Sequence, residues 1–270
     1  MAQAKPQPQL VLHHNDMSVC AAKVRSALAE KGVAFEGVHL DLRLGDAQKT
    51  AYTLLNPNQL VPTLVHDQAV IVESNIILEY IDDTWPQRPL RPAAPAERAR
   101  MRLWMRQLDD GVHAATGTIS TCIAFRHQHL QREPTELQNW LDNMMDPARR
   151  ERTRLAVQQG MESPGFAPAV VRFEKLISDM DAALSQGAWL AGTTYSLADI
   201  AYGPYMIRLL HLGFEERIQA RPRVADWVQR LFATQGYKDG VETWLNAKYL
   251  ALFEREKPAA MDFIRRLTAS

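Results

Sequence analysis

The sequence predicts an α/β unit of about 80 residues followed by an all-α unit. Two observations carry that expectation. Up to about residue 84, short apolar runs alternate with amphipathic stretches. Beyond a linker holding four prolines in eleven residues, 85–95, apolar side chains recur at three- and four-residue steps nearly throughout. With 270 residues, 46% of them apolar, the chain can bury a substantial core as one large domain or two smaller ones.

The elements follow in order. Leu10-Val11-Leu12 reads as a buried strand, and residues 21–31 read as a helix capped by Ser18 and stopped by Gly32. Val38-His39-Leu40 is a second strand candidate, and a short amphipathic segment surrounds Tyr52, Leu54 and Leu55. Asn56-Pro57-Asn58-Gln59 is turn chemistry, leading into a strand over residues 60–65 that forms a hairpin with Val70-Ile71-Val72. Ser74 is read as the cap of a helix carrying Ile76, Ile77, Tyr80 and Ile81.

Past the linker, Met101, Trp104, Leu108, Val112, Ala115 and Ile119 predict one long amphipathic helix. Residues 126–165 mix charges of both signs and break at Pro134, Pro147 and Pro164. They read as an insertion with one or two short helices and a solvated face. Residues 169–184 form a further helix, and Ser196-Leu197-Ala198-Asp199 is a capping box opening another. Tyr195 and Asp199 read as structural. The expected organisation is a disordered tail over 1–9, an α/β domain over 10–84, a linker over 85–95 and a helical domain over 96–240. An extension over 241–270, rich in large apolar groups, packs back on the body.

Lys plus Arg equal Asp plus Glu at 31 each, so no bulk field draws the chain to nucleic acid or an anionic membrane. No apolar run is long enough to span a membrane, and nothing resembles a signal peptide. The two cysteines, Cys20 and Cys122, fit neither a disulfide framework nor a metal site, and a cytoplasmic location is expected. No metal is expected at His13-His14 or at His127 and His129, which lack acidic or cysteine partners at suitable spacing.

Ser18 and Cys20 put a hydroxyl and a thiol on one strand-to-helix turn. A helix N-terminus carries roughly half a positive charge and unpaired N–H groups, so it stabilises a thiolate. A thiol placed there is acidified below its free value of about 8.5.

Four features in order then resemble the soluble glutathione transferase superfamily: Ser18-Val19-Cys20 with Lys23-Val24-Arg25, Asn56-Pro57 leading to Val61-Pro62-Thr63-Leu64, Glu73-Ser74, and Ser196-Leu197-Ala198-Asp199. The resemblance covers roughly residues 10–240. It implies an α/β thioredoxin-like N-terminal domain that binds glutathione as co-substrate, plus an all-α C-terminal domain that supplies a second-substrate pocket. The Ser-x-Cys pattern is similar to the zeta class and to bacterial glutathione-dependent dehalogenases. The insertion and C-terminal extension are similar to bacterial β-aryl etherase-like transferases.

The resemblance assigns roles to particular residues. Ser18 activates the glutathione thiol, and Cys20 either tunes the site or acts as a second nucleophile. Pro62 is cis, and the Val61 backbone pairs with the cysteinyl unit of glutathione. Glu73 and Ser74 take the glutamyl end. Leu60 stands where many relatives carry a hydrogen-bonding residue, and Gln59 is the substitute. A pocket for a small hydrophobic electrophile is placed on the long helix at Val112, His113, Thr116 and Ser120, with the C-terminal aromatics. A homodimer is implied. The alternatives are thiol exchange or reductive dehalogenation through Cys20, and a non-catalytic glutathione-binding module.

Overall fold

The computed structural model describes residues 10–269, and the expected tail over 1–9 lies outside the described residues. A four-stranded sheet is built from β1 (Leu10–His14), β2 (Glu36–His39), β3 (Thr63–His66) and β4 (Ala69–Ile71), in the order β2-β1-β3-β4. A helical crossover makes β1 and β2 parallel, whereas β3 runs antiparallel to both β1 and β4. Leu12 pairs with Leu64 at the centre, and both are fully buried. This is the mixed thioredoxin-like sheet.

The crossover helix is α1 (Val19–Lys31). Ser18 caps it by accepting a hydrogen bond from the Ala21 N–H at 3.2 Å, and Gly32 ends it at φ 68°, a conformation that favours glycine. The one-turn α2 (Thr50–Thr53) precedes β3, and α3 (Ser74–Thr84) follows β4. Ser74 is the first helical residue of α3 and not its cap. The flanking position belongs to Glu73, whose backbone sits at φ 66°.

The single long helix expected after the linker is instead a broken run. It comprises α4 (Pro95–Gln107), α5 (His113–Ser120) and α6 (Arg126–His129), joined by wider π-type windings at Leu108–Val112 and Thr121–Phe125. The break has a local cause: Gly111 adopts φ 132°, and a Cβ there would meet the Arg172 guanidinium at 3.1 Å. The insertion adds α7 (Pro134–Asp142) and α8 (Pro147–Gln159), so with α6 it holds three helices. Pro134 and Pro147 open helices here, because the first turn needs no N–H from proline.

The rest of the helical half is α9 (Phe166–Leu184), α10 (Leu197–His211), α11 (Glu215–Gln219), α12 (Pro222–Phe232), α13 (Gln235–Gly240) and α14 (Ala247–Ala269). The Ser196–Asp199 capping box is formed. Asp199 also accepts from the Trp227 indole at 2.9 Å and the Leu190 N–H at 3.0 Å, tying α10 to α12. The Tyr195 hydroxyl donates to Glu30 at 3.2 Å, a bridge between the two halves. Phe253 and Ile264 of α14 are fully buried. No described helix is long and apolar enough to cross a membrane.

Candidate active site

The loop from Asn15 to Ser18 is fixed from several sides. The buried Arg25 guanidinium donates to the carbonyls of Asn15 and Asp16, both at 3.0 Å. Arg208 of α10 donates to the Met17 carbonyl at 2.6 Å, and Asn246 donates to the Asp16 carboxylate at 2.8 Å. Ser18 therefore presents its hydroxyl from a loop with little freedom.

A second wall comes from the turn ahead of β3. The Val61–Pro62 peptide is cis. Tyr52 and Asn56 both donate to the Leu60 carbonyl, at 2.5 and 2.9 Å, which holds the turn in place. The sheet register begins at Thr63, so Val61 lies beyond the paired strand. Gln59 sits at φ 57° and Glu73 at φ 66°, conformations that a non-glycine residue adopts at a cost of about 1–3 kcal/mol.

Cys20 has a different environment from Ser18. Its partly exposed sulfur lies 3.5 Å from His113 Nδ1 on α5 and 3.7 Å from the Tyr205 hydroxyl on α10. His113 Nδ1 and the Tyr205 hydroxyl are 3.1 Å apart. Burial alone raises the Cys20 pKa. The positive charges of His113 and Lys23 and the hydrogen bonds from His113 and Ser74 outweigh it, lowering the value to about 6. Lys23 is itself held by Asn75 at 3.0 Å, and Asn75 donates to Asp109 at 3.0 Å. Tyr205, buried and next to the thiol, is pushed well above the usual phenol range and so remains a donor. Cys122 goes the other way: burial raises it to about 12, so it is an inert thiol.

Ser18, Gln59 and Val61 on one side and His113, Thr116 and Ser120 on the other line one cleft of about 340 Å³. Val112 does not belong to it. At 1% exposure it packs into the core, because the winding ahead of α5 rotates it away from the cleft. Cys20, Pro62, Glu73 and Ser74 are not among the residues that line it, and Ser74 bears on the site by helping to lower the Cys20 pKa. The C-terminal aromatics expected at the pocket lie behind it: Tyr249 and Phe253 pack against Phe125, and Trp244 stacks beside Phe35. Among the described residues no group of three or more His, Cys, Asp or Glu is placed to hold a metal ion.

Two family models match in sequence order: the glutathione S-transferase N-terminal domain over residues 8–83 and the glutathione S-transferase C-terminal domain over residues 138–230. The chain belongs to the glutathione S-transferase family. Protein LigF of Sphingobium sp. strain SYK-6 is 29% identical over 233 residues, 82% of this chain and 88% of that one. The crystal structure of that protein, described as a beta-etherase, superposes with a TM-score of 0.80 at 26% identity, covering 87% of this chain and 99% of the other. Glutathione S-transferase U1 of Arabidopsis thaliana is 42% identical over 92 residues, 33% of this chain and 39% of its own. A theta class glutathione S-transferase from Xanthomonas axonopodis pv. citri, solved with glutathione bound, gives a TM-score of 0.64 at 26% identity, with 87% and 98% covered.

Within this transferase-family frame the insertion departs from the solvated face expected of it. Trp140 of α7 and Arg149 and Arg152 of α8 line the cleft, as do Arg43 from the loop after β2 and Arg208 from α10. Tyr205 also joins the site unannounced by any motif, and Lys23, quoted with the Ser18–Cys20 feature but given no role there, joins it too. The available sequence signal was the placement of Arg149 and Arg152 three apart on one helical face.

Proposed function

We propose that the chain binds glutathione along the Val61 edge and transfers it to a small, largely apolar electrophile seated against α5. The N-terminus of α1 and the Ser18 hydroxyl stabilise the glutathione thiolate. Its sulfur attacks the electrophilic carbon and forms a C–S bond. The leaving group departs with the electron pair of the bond it breaks, and the thiol proton passes to solvent. The Val61 N–H and C=O act as an added strand edge for the cysteinyl unit, and Glu73 and Ser74 receive the glutamyl end. Gln59, beside Leu60, serves the glycyl end. The observation that carries this reading is that Ser18, Gln59 and Val61 share one cleft with His113, Thr116 and Ser120.

A second reading is supported by the low pKa of Cys20 and its contact with His113. The Cys20 thiolate attacks the sulfur of a glutathionyl adduct, releasing the carbon fragment with a proton and leaving a Cys20–glutathione disulfide. A second glutathione then reduces that disulfide and departs as glutathione disulfide. A homodimer in the cytoplasm belongs to the same proposal, and sedimentation as a monomer would contradict it.

The test is glutathione-dependent turnover of 1-chloro-2,4-dinitrobenzene by wild type, Ser18→Ala and Cys20→Ser. Ser18→Ala is expected to lose about 10²-fold in kcat/KM, and Cys20→Ser far less. The reverse order, with a glutathionylated product trapped by Cys20→Ser, transfers the chemistry to Cys20. Glutathione binding without turnover of any electrophile leaves only a binding module.

A further inference from the structure

The whole chain carries no net charge, yet the cleft is lined by four arginines, Arg43, Arg149, Arg152 and Arg208, against a single carboxylate, Asp146. Asp146 is already committed: its Oδ1 caps α8 by accepting the N–H groups of Ala148 and Arg149 at 2.9 and 3.2 Å. Among the described residues, none of the four guanidinium groups has a carboxylate oxygen within 4.0 Å. Elsewhere in the molecule arginines pair readily with acids, as Arg102 does with Glu79 and Arg217 with Glu174. What distinguishes the cleft is that four such guanidinium groups line one open space together.

The arginines are also close to one another. Arg149 lies below its ordinary pKa through burial and then the charges of Arg43 and Arg152, while Arg208 falls to about 10 through burial and then Arg43. Arg43 is the hub. It stacks over Phe125 at 4.4 Å and donates to His129 Nε2 at 3.2 Å, yet its buried Nε has no acceptor. His129 supplies no countercharge, because burial and then Arg43 and Arg132 depress it to about 3. Since Nε2 accepts from Arg43, the His129 proton sits on Nδ1, another buried donor without an acceptor. Buried donors normally find partners, and a cluster of unpaired cations beside open space is a site short of an anion. Phe125 and Trp140 give the same space two aromatic surfaces.

We propose that the electrophile taken by this cleft is an anion: an aromatic body resting against Phe125 and Trp140, with an oxyanion group held by Arg149 and Arg152. The inference rests on the glutathione-transfer reading and narrows its substrate class. Glutathione also carries carboxylates. Arg149 and Arg152 come from the insertion, however, whereas Gln59 and Val61 stand on the N-terminal wall. The second substrate is thus the better match for the two insertion arginines.

The experiment compares 4-chloro-3,5-dinitrobenzoate with its methyl ester, each rate normalised to its uncatalysed reaction with glutathione. A parallel titration measures binding of the unreactive pair 3,5-dinitrobenzoate and methyl 3,5-dinitrobenzoate. The acid is expected to exceed the ester at least ten-fold in normalised kcat/KM and in affinity, with the preference shrinking as salt rises. Arg149→Gln with Arg152→Gln removes that preference, whereas Arg149→Lys with Arg152→Lys retains part of it. Equal treatment of acid and ester overturns the proposal. A raised glutathione KM with the preference intact also overturns it, by assigning the arginines to glutathione. Tight, acid-selective binding without turnover of either compound supports the anion site and overturns the transferase reading instead.

Discussion

Replacing His113 with alanine tests the origin of the acidic Cys20 thiol. Lowering a thiol from 9.0 to about 6 corresponds to about 4 kcal/mol of thiolate stabilisation. Burial opposes it, so the favourable interactions are larger than that net figure. Of these, His113 supplies both a charge and the contact at 3.5 Å, while Lys23 and Ser74 supply the rest. Removing one nearby cation at this range raises the midpoint to roughly 7–8. The assay must follow the midpoint and not a single rate. At pH 7 the thiolate fraction falls from about 90% to roughly 10% if the pKa moves from 6 to 8. Thiolate nucleophilicity, however, rises with a Brønsted coefficient of about 0.4–0.5, which returns most of the lost rate. Iodoacetamide alkylation of Cys20 measured from pH 4 to 10, with Cys122→Ala as background, separates the two effects. A wild-type midpoint near 9, or a midpoint unmoved by His113→Ala, refutes the electrostatic account.

Three further outcomes follow from packing and titration. A methyl at Gly240 would lie 2.3 Å from the Ser26 nitrogen and 2.4 Å from its Cα. Gly240→Ala must therefore push α13 off α1 and lower stability by more than about 2 kcal/mol in urea unfolding; an unchanged midpoint contradicts the fit. Phe253→Ala empties a fully buried site on α14 and is expected to cost about 3–5 kcal/mol, whereas a loss under 1 kcal/mol would mean the helix is detachable. His14 and His211 are each lowered to about 4 and His129 to about 3, mainly by burial, so the unfolded chain protonates first as pH falls through 6.5. Asp199 has the opposite sign: burial raises it to about 6, so the folded chain takes that proton first and offsets one histidine. Net stability should fall by about 3 kcal/mol per pH unit between pH 6 and 4, and a flat profile in urea titrations at pH 6 and 5 would contradict those burials.

What could be read in the sequence was mostly local. Ser18 and Gly32 announce the ends of α1 because caps act within one turn, and the Ser196–Asp199 box does the same for α10. The linker is equally plain from its prolines. The break at Gly111 was hidden because a lone glycine inside a helical pattern is usually tolerated, and the Arg172 guanidinium that crowds this position is far away in the chain. Pro134 and Pro147 mark breaks as expected, but that each also opens a further helix was not legible, because proline both stops and starts helices and only its position in the turn decides. His113 meets Cys20 across 93 residues, and Arg149 reaches the cleft only through the packing of α8. No spacing rule reports contacts of that kind.

The two halves of the molecule are not a binding unit with a cover laid on it. Arg25, fully enclosed in α1, donates to the Gly240 carbonyl of α13 at 2.9 Å while its other nitrogens hold Asn15 and Asp16. Glu30 takes the Gly236 N–H at 2.8 Å, and Arg208 holds Met17 while its guanidinium lies over Phe125 and Phe253. The loop that presents Ser18 is thus positioned by residues from both ends of the chain. A change in α13 or α14 should therefore alter the geometry of the nucleophile and not only overall stability. Two of the cleft arginines share this arrangement: Arg208 is held by the Met17 carbonyl and the Ser120 hydroxyl, and Arg43 rests over Phe125, so the repulsion between these two guanidinium groups is borne by the same contacts that fix the Ser18 loop.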